Sequence, residues 1–290
     1  MERVVVLGGS GFVGRAVVPL LARRAHVVAV SRSGGAVPGA EACAADARDE
    51  AAVRAALRGA DVAVHLVHSL GTRGYADSDR RAATSVARAA EAEGVRQIVY
   101  LGGLGDERAG LSEHLRSRRE TAEALASGAV PVTTLGAGMI VGRGSAAFET
   151  ILALVDRLPL MLVPRWGRTP TQPVALADAA ACLAGVCGRD EALGESYDLG
   201  GPEVMTYREM IERVARIRGK RVGLVEVPVL TPRLSSWWLH LVTPVQAPVA
   251  RPLVEGLRTP TVARDDRIRE LVRLTATPFD DAVRAALSAP

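Results

Sequence analysis

The sequence predicts an α/β fold in which a doubly wound parallel β-sheet is followed by a smaller C-terminal lobe. Short apolar runs alternate with segments of helical periodicity, at intervals of roughly 20–30 residues. A glycine-rich turn separates the first apolar run from the first helical segment. Prolines become frequent after residue 142, which predicts a change of architecture there.

The first half of the predicted sheet begins with residues 4–7, a short uncharged run that is typical of a buried parallel strand. Residues 12–24 have the spacing of an amphipathic helix, and residues 26–31 form a second strand. Residues 49–58 are helical in pattern, and residues 61–67 are strand-like. This order is typical of consecutive β-α-β units.

The same alternation continues further along the chain. Residues 77–93 predict a long helix that ends at Gly94, and residues 97–101 predict a strand. Residues 112–127 predict a helix that its first residue, a serine, can cap. Residues 130–135 predict a further strand. A parallel sheet with helices on both faces follows from this rhythm.

The predicted domain boundary divides residues 1–142 from a smaller substrate lobe over residues 143–290. Proline has no N–H and cannot join the hydrogen bonding of a central strand, so the proline-rich lobe cannot be one regular sheet. Within residues 175–200, a helix and a short strand are expected to return to the main sheet. The two predicted domains are therefore interleaved along the chain.

Composition argues against nucleic-acid binding. The 290 residues carry a net charge of +4 with only 3% aromatics, and the arginines are scattered. We interpret this charge as solvated surface and as attraction for an anionic cofactor. The three cysteines form no C-x-x-C pair, and no leader and no bilayer-spanning run of ~18 apolar residues is visible. We therefore expect a cytoplasmic protein without a metal site.

Adjacent tryptophans, Trp237 and Trp238, lie in an apolar segment over residues 230–242. Such a pair suits a core, a lid over a substrate pocket, a dimer face or a membrane-surface contact. Because the segment lacks the Lys/Arg-rich polar face of interfacial helices, peripheral membrane contact is not favoured. The sequence does not indicate an oligomeric state.

The glycine-rich turn has the spacing G-x-x-G-x-x-G. Gly8 and Gly11 permit a tight turn and close approach of the backbone to a pyrophosphate, while Gly14 lets the helix pack closely on the strand. The N–H groups at the positive end of the helix then face the phosphates. We expect a Rossmann-like dinucleotide site with further contacts at Ser10, Phe12 and Val13. The alternative is a structural turn that binds no ligand.

The end of the second strand indicates which dinucleotide binds. NAD sites often hold the ribose 2′-hydroxyl with an acidic residue about 20 residues after the turn, but Ser31, Arg32 and Ser33 stand there. Arg32 can stack on adenine and pair with a 2′-phosphate, with the serines adding hydrogen bonds. The predicted cofactor is therefore NADP, with NAD as the alternative. Asp46 suits a bond to the adenine amino group or a cap of its own loop.

Five segments carry a family resemblance: residues 7–14, 66–69, 99–103, 114–118 and 136–142. Together they resemble the short-chain dehydrogenase/reductase superfamily, and most of all its atypical, NmrA-like NAD(P)H-binding branch. The resemblance covers almost the whole chain and implies an NAD(P)-binding oxidoreductase. It also implies cofactor contacts at Val67, His68, Gly102, Arg118, Gly136, Ala137 and Gly138.

The chain departs from this superfamily at the catalytic residues. The resemblance implies a Tyr-x-x-x-Lys pair, in which Tyr gives a proton and Lys holds the nicotinamide ribose. No such pair occurs, and His114 and Arg118 stand in its place. Arg118 can still hold a ribose hydroxyl. His114 is the candidate proton donor because imidazole titrates near neutrality; the alternative is an exposed polar residue in the first turn of a helix.

Two more histidines lie in or after the strand at residues 61–67. His65 is inside the apolar run, where we expect a hydrogen-bonded core residue. His68 follows at the carboxyl end, where open α/β sheets bind their ligands. We expect contact with the cofactor through its backbone rather than its ring.

Two functions remain open. One is an NADPH-dependent reductase that passes hydride to a small organic acceptor, such as a quinone or conjugated carbonyl, with His114 or water supplying the proton. The other is a non-catalytic NAD(P)-binding sensor or assembly protein. The resemblance implies such a role for some NmrA-like proteins and for the dehydrogenase-like accessory subunit of respiratory complex I. The missing Tyr-Lys pair favours the second function, and the well-formed lobe favours the first.

Overall fold

A computed structural model of the chain describes residues 1–69, 72, 74–105, 112–227 and 256–288. Trp237 and Trp238 lie outside the described residues, so the roles weighed for them stay predictions. None of the described helices is both long enough and apolar enough to cross a bilayer.

The described strands are short, and most belong to one sheet. Their bounds are β1 Arg3–Leu7, β2 His26–Ser31, β3 Glu41–Ala44, β4 Val62–His65, β5 Gln97–Gly103, β6 Val132–Ala137, β7 Ile140–Val141, β8 Leu160–Pro164, β9 Pro170–Thr171, β10 Val174–Ala175, β11 Ser196–Leu199, β12 Met205–Thr206 and β13 Gly223–Val227.

The described helices alternate with these strands. Their bounds are α1 Phe12–Leu21, α2 Glu50–Leu57, α3 Tyr75–Ala92, α4 Glu113–Leu125, α5 Ala146–Arg157, α6 Leu176–Val186, α7 Tyr207–Ile217, α8 Arg267–Val272 and α9 Phe279–Ser288.

The main sheet has seven strands in the order β11-β6-β5-β4-β1-β2-β3, and every neighbouring pair is parallel. This confirms the predicted α/β fold with a Rossmann-like parallel sheet. The order reverses between β1 and β4, and such a reversal opens a crevice at the carboxyl ends of the strands.

Alternating side chains of β1 face opposite sides of this sheet, because successive residues of a strand point in opposite directions. Val4 and Val6 pack in one core with Leu21 of α1 and Leu183 of α6. Val5 and Leu7 pack in a second core formed with α2, α3 and α4. The uncharged first strand is therefore buried on both faces, as its sequence predicts.

A third core lies in the C-terminal half. It includes Phe148 of α5, Met161 of β8, Met210 of α7 and Val283 of α9. Three two-stranded sheets flank it: β7 with β10, β9 with β12, and β8 with β13. The chain also returns to the main sheet, since β11 pairs in parallel with β6 and α6 packs against α1. The proposed division at residue 142 stays a prediction.

Three local expectations were wrong. The edge strand β3 was not predicted, because its four residues are mostly exposed and include no large apolar side chain. Helix α1 ends at Leu21 rather than at residue 24, since the next residues form a turn closed by Arg24 N–H on Leu21 O. Strand β4 ends at His65, two residues earlier than expected, although Leu66 N–H still donates to Leu7 O at 2.9 Å.

Candidate functional site

The site begins where β1 and β4 end beside each other. Gly8, the first residue after β1, has φ +87°, a conformation that L side chains rarely adopt. A Cβ there would lie 3.0 Å from the carbonyl carbon of Leu66. Because the obstacle is backbone, it cannot rotate away. Glycine is thus required for the two strand ends to approach this closely.

The first turn of α1 lies directly on this glycine turn. A Cβ at Gly14 would lie 2.5 Å from the carbonyl oxygen of Gly8 and would also overlap that of Gly9. The turn itself is closed by Gly11 N–H donating to Gly8 O at 2.9 Å. The structure therefore places a closed backbone cradle at the leading end of the helix, as the motif predicts.

The leading end of α1 is free of competing negative charge. Gly11 is the N-cap and has no side chain to accept from the first turn, which contains no acidic residue. Arg15 N–H donates to Gly11 O at 3.0 Å, so the amides of residues 12–14 precede the first helical bond. The Arg15 guanidinium, which the sequence analysis overlooked, donates to Ser10 O at 2.8 Å. This geometry suits a phosphate group.

The carboxyl ends of β2 and β3 form the next part of the edge. Ser31 Oγ accepts from Gly35 N–H at 3.1 Å, which ties the loop after β2, while Arg32 and Ser33 are exposed. Asp46 accepts from Arg48 N–H at 2.9 Å and from Arg48 Nε at 3.0 Å.

The charge on Asp46 is held firmly. The hydrogen bonds from the Arg48 side chain and backbone lower the pKa of Asp46 to about 2, and the charge of Arg32 adds to the effect. The guanidinium groups of Arg48 and Arg32 therefore both lie near the ionised carboxylate of Asp46 at this edge of the sheet. Arg48 was not predicted, because nothing in the sequence marks it as the partner of Asp46. The bond from Asp46 to adenine stays a prediction.

Beyond β4 the side chain of His68 contacts a buried carboxylate. His68 Nδ1 lies 2.7 Å from Oδ2 of Asp79, a residue of α3 whose side chain is 0% exposed. Asp79 Oδ1 accepts from Ser69 N–H at 2.9 Å. Sequence reasoning missed Asp79 as a site residue. The signal was present, since an acid lies at helical spacing among the buried residues Tyr75, Ala82, Ala83 and Val86.

Helix α4 brings Arg118 to the same edge, beside the end of β5. Its Nη2 donates to Leu101 O, and its guanidinium carbon lies 4.9 Å from the centroid of the Tyr100 ring. Its Nη1 is buried and has no hydrogen-bond partner among the described residues. A cationic N–H group without a partner in a buried position is costly unless a ligand accepts from it.

Gly103, at the end of β5, explains how α4 comes so close. A Cβ at Gly103 would lie 2.8 Å from Leu115 Cδ2, and one at Gly102 would lie 3.2 Å from the Tyr100 ring. The absence of a side chain at Gly103 therefore lets α4 pack against the end of β5, which brings Arg118 to the strand end.

His114 lies in the first turn of α4, with its ring centroid 5.2 Å from that of His68. Its Nδ1 is buried without a partner among the described residues. Burial lowers the pKa of His114 to about 3, and His68 and Arg118 add to this effect. The expectation that this imidazole titrates near neutrality is therefore wrong, because the ring is enclosed beside a cation. His114 is a neutral side chain at pH 7.

His65 also differs from expectation. Its ring is fully buried, but neither ring nitrogen has a hydrogen-bond partner among the described residues. Burial lowers the pKa of His65 to about 3, and the charge of Arg118 adds to this. His65 is thus a neutral core residue, and no described residue forms a hydrogen bond with its ring nitrogens.

Small residues at the end of β6 and directly after it lie at the edge of the same crevice. Strand β6 contains Gly136 and Ala137, and Gly138 follows them. A Cβ at Gly138 would lie 3.1 Å from Thr261 Oγ1. Its missing side chain therefore makes room for the C-terminal segment of the chain, and not only for a ligand. The contact of these three residues with a nicotinamide stays a prediction.

Comparison with protein families agrees with the cradle. Residues 8–140 match the family described as NAD(P)H-binding. The chain is also 29% identical over 295 residues to (4-alkanoyl-5-oxo-2,5-dihydrofuran-3-yl)methyl phosphate reductase of Streptomyces griseus, covering 96% of this chain and 95% of that protein.

Two plant proteins match part of their own length. One is subunit 9 of the NADH dehydrogenase [ubiquinone] 1 alpha subcomplex of Arabidopsis thaliana, 26% identical over 71% of this chain. The other is the divinyl chlorophyllide a 8-vinyl-reductase of Zea mays, 27% identical over 81% of this chain. The chain spans only 56% of the first protein and 64% of the second.

Two solved structures share the fold over nearly the whole chain. The NADPH-dependent quinone oxidoreductase of Escherichia coli, complexed with NADPH, has a TM-score of 0.78 at 22% identity, covering 98% of this chain and 100% of that one. The triphenylmethane reductase of a Citrobacter species, complexed with NADP(H), has a TM-score of 0.75 at 17% identity, covering 98% and 99%. The predicted resemblance to NAD(P)H-binding proteins is confirmed by the family match over residues 8–140, and the two solved structures show that the whole chain shares their fold.

Proposed function

We propose that this chain, whose residues 8–140 form an NAD(P)H-binding domain, is an NADPH-dependent reductase. It would transfer hydride to a small organic acceptor such as a quinone or a conjugated carbonyl. One observation carries the proposal: the backbone cradle at Gly8 lies at the same edge of the sheet as buried Arg118, whose Nη1 has no hydrogen-bond partner among the described residues. The first suits the phosphates of a dinucleotide, and the second suits an oxygen atom of ribose or acceptor.

The residues of the cradle fit a diphosphate. The positive φ of Gly8 and the lack of space for a side chain at Gly14 bring the backbone of the turn and the helix close together. The same absence of side chains would let a ligand approach this backbone. The N–H groups that open α1 have no acidic competitor. We propose that the dinucleotide contacts Gly8, Ser10, Gly11, Phe12, Val13, Gly14, Val67, His68, Gly102, Arg118, Gly136, Ala137 and Gly138.

The choice of NADPH rests on the charge at the ends of β2 and β3. Arg32 is exposed at the end of β2, and its charge reaches Asp46. A phosphate on the ribose would attract both Arg32 and Arg48, whereas a bare ribose hydroxyl would gain little from them. Ser33 and Ser31 would add hydrogen bonds. The structural neighbours from Escherichia coli and Citrobacter are named for NADPH and NADP(H) complexes, which supports the proposal.

The acceptor follows from the groups that this chain offers in place of Tyr-x-x-x-Lys. When bound, a reduced nicotinamide supplies the hydride. Arg118 and the neutral His114 can each direct an N–H group at an oxygen on which negative charge develops. Quinones and conjugated carbonyls delocalise that charge, so their reduction does not require a tyrosine acid. We propose His114 as a neutral hydrogen-bond donor in this step.

Stopped-flow and steady-state measurements of NADPH oxidation test the proposal. A panel of quinones, enones and saturated ketones would be assayed beside calorimetric titration with NADPH, NADP, NADH and NAD. We expect NADPH to bind and at least one conjugated acceptor to be reduced. The Gly14→Ala variant is the matched control, since it should lose both binding and turnover. Tight binding without oxidation by any acceptor would contradict the reductase.

A second candidate is a non-catalytic NAD(P)-binding assembly protein. The observation that favours it is the absence of Tyr-x-x-x-Lys, together with the similarity to the complex I subunit of Arabidopsis. The same experiment separates the two candidates. Binding of NADPH that stabilises the protein thermally, with no turnover of any acceptor, is the result expected for the assembly protein.

A further inference from the structure

The side chains of His68 and Asp79 form a pair that takes no part in the cofactor contacts proposed above, where His68 would meet the dinucleotide through its backbone. The side chain of His68 is 26% exposed, whereas that of Asp79 is fully buried, so only the histidine can reach a ligand. We propose that His68, held in one orientation by Asp79, exchanges the proton with the oxygen atom of the acceptor. This inference rests on the proposed reductase function.

The carboxylate determines which ring nitrogen of His68 is free. Burial on its own would raise the pKa of Asp79, but the hydrogen bonds from His68 and from Ser69 N–H outweigh it and hold that pKa below its usual value. An ionised carboxylate only accepts hydrogen bonds, so Nδ1 of His68 carries the hydrogen that lies between them. Nε2 is then the one ring atom that can take up or release a proton.

The groups around His68 come from three elements. Asp79 and Tyr75 lie on α3, His65 on β4, and His114 and Arg118 on α4. Of these described neighbours, only Asp79 is an anion. The carboxylate favours the imidazolium form of His68, while burial and Arg118 oppose it, and the net effect is a pKa below the usual 6.5.

His68 is a better proton carrier than His65 or His114. His65 is fully buried inside β4, and the buried Nδ1 of His114 has no hydrogen-bond partner among the described residues. The pKa of each is lowered to about 3. Of these three histidines, His68 alone forms a hydrogen bond with a carboxylate of the described residues, and this bond stabilises the positive charge while the ring holds a second proton.

The proton balance of the step is simple. Hydride adds to a carbon atom of the acceptor, which leaves the electron pair of the broken π-bond on the conjugated oxygen. That oxygen forms a bond to the proton of Nε2, and the N–H bond breaks to leave neutral His68. The Nδ1–H bond to Asp79 is retained throughout, and solvent then reprotonates Nε2 through the exposed side of the ring. In the opposite direction Nε2 accepts the proton of a hydroxyl group.

The test compares His68→Asn, Asp79→Asn and a control, His26→Asn, at the opposite edge of the sheet, where His26 is exposed beside Glu41. Wild-type reduction should slow as pH rises through the pKa of His68, below pH 6.5.

His68→Asn should lower kcat about 100-fold and abolish this pH dependence, with the Kd for NADPH within about twofold of the wild-type value. Asp79→Asn should lower kcat at least about 10-fold, because its amide can donate to Nδ1 and move the proton to Nε2. The control should match wild type.

Two failures are distinguishable. If His68→Asn keeps the wild-type rate and pH profile, His68 carries no proton, and only the role proposed here for the pair of His68 and Asp79 is contradicted. If wild-type protein binds NADPH but reduces no acceptor, the proposed reductase function is contradicted, and so is the role of His68 in proton transfer. Because His68 is partly exposed, its variant tests the proposal even if a change at buried Asp79 prevents folding.

Discussion

The Cα of Gly14 faces the carbonyl oxygen of Gly8 so closely that a Cβ would lie only 2.5 Å from that oxygen. The contact joins the first strand to the first helix at the point proposed for the diphosphate. Backbone on both sides leaves no flexible side chain to move aside. The position therefore tests whether the cradle is needed for the ligand.

We predict that Gly14→Ala abolishes measurable NADPH binding and lowers the free energy of unfolding by about 1–3 kcal/mol, because the added methyl group overpacks rigid backbone. Calorimetric titration and urea unfolding measure the two effects. Gly128→Ala is the control, since its Cβ would meet no atom closer than 3.4 Å. An alanine at position 14 that binds NADPH normally would rule out the cradle as the phosphate site.

The second prediction concerns cofactor choice. Arg32→Ala and Arg48→Ala should each weaken NADPH binding about 10- to 100-fold, since a charge-assisted bond contributes roughly 1.5–3 kcal/mol. The Kd for NADH should change less than about threefold. Arg88→Ala is the control, because Arg88 is an exposed arginine of α3 that pairs with Glu50 of α2. Equal losses for both nucleotides would show that neither arginine reads the 2′-phosphate.

Much of the fold was predictable because it depends on local signals. The apolar run of β1 and the glycines that follow it identified the first β-α unit, and Ser112 accepts from Leu115 N–H as the predicted helix cap. The edge strand β3 was not predicted because it is a strand by virtue of its pairing with β2, and not because of a pattern in its own residues. Sequence periodicity reports burial, and β3 is hardly buried.

The candidate site was predictable only in part, for a related reason. Gly8 and Arg118 stand at positions that a motif identifies. The contact of His68 with Asp79 joins two elements, and no spacing rule specifies it. The low pKa of His114 depends on burial by neighbours from other strands and helices. A sequence identifies side-chain types, but the dielectric environment that sets their charge is a property of the packed structure.

The third prediction concerns His114. His114→Phe should lower kcat for acceptor reduction at least about 10-fold, because an N–H group directed at the developing negative charge is lost. The Kd for NADPH should stay within about twofold of wild type. Phenylalanine keeps the aromatic contact with His68, so the change tests the polar atoms rather than the ring. His26→Phe, at an exposed position, is the control. An unaltered rate would remove His114 from the mechanism.

The last prediction concerns stability against acid and is independent of any ligand. His65 is neutral in the folded protein, where its pKa is lowered from 6.5 to about 3 by burial. In the unfolded chain the same ring binds a proton below about pH 6.5. Acidification therefore favours unfolding, and each such histidine removes up to about 1.4 kcal/mol of stability per pH unit below that point.

His65→Leu replaces the ring by an apolar side chain that titrates in neither state. Urea unfolding at pH 7.5, 6.0 and 5.0 should show a shallower loss of stability for His65→Leu than for wild type, while His26→Leu, at an exposed site, should follow wild type. Parallel curves for the His65 variant and wild type would mean that the ring is protonated, or solvated, inside the fold.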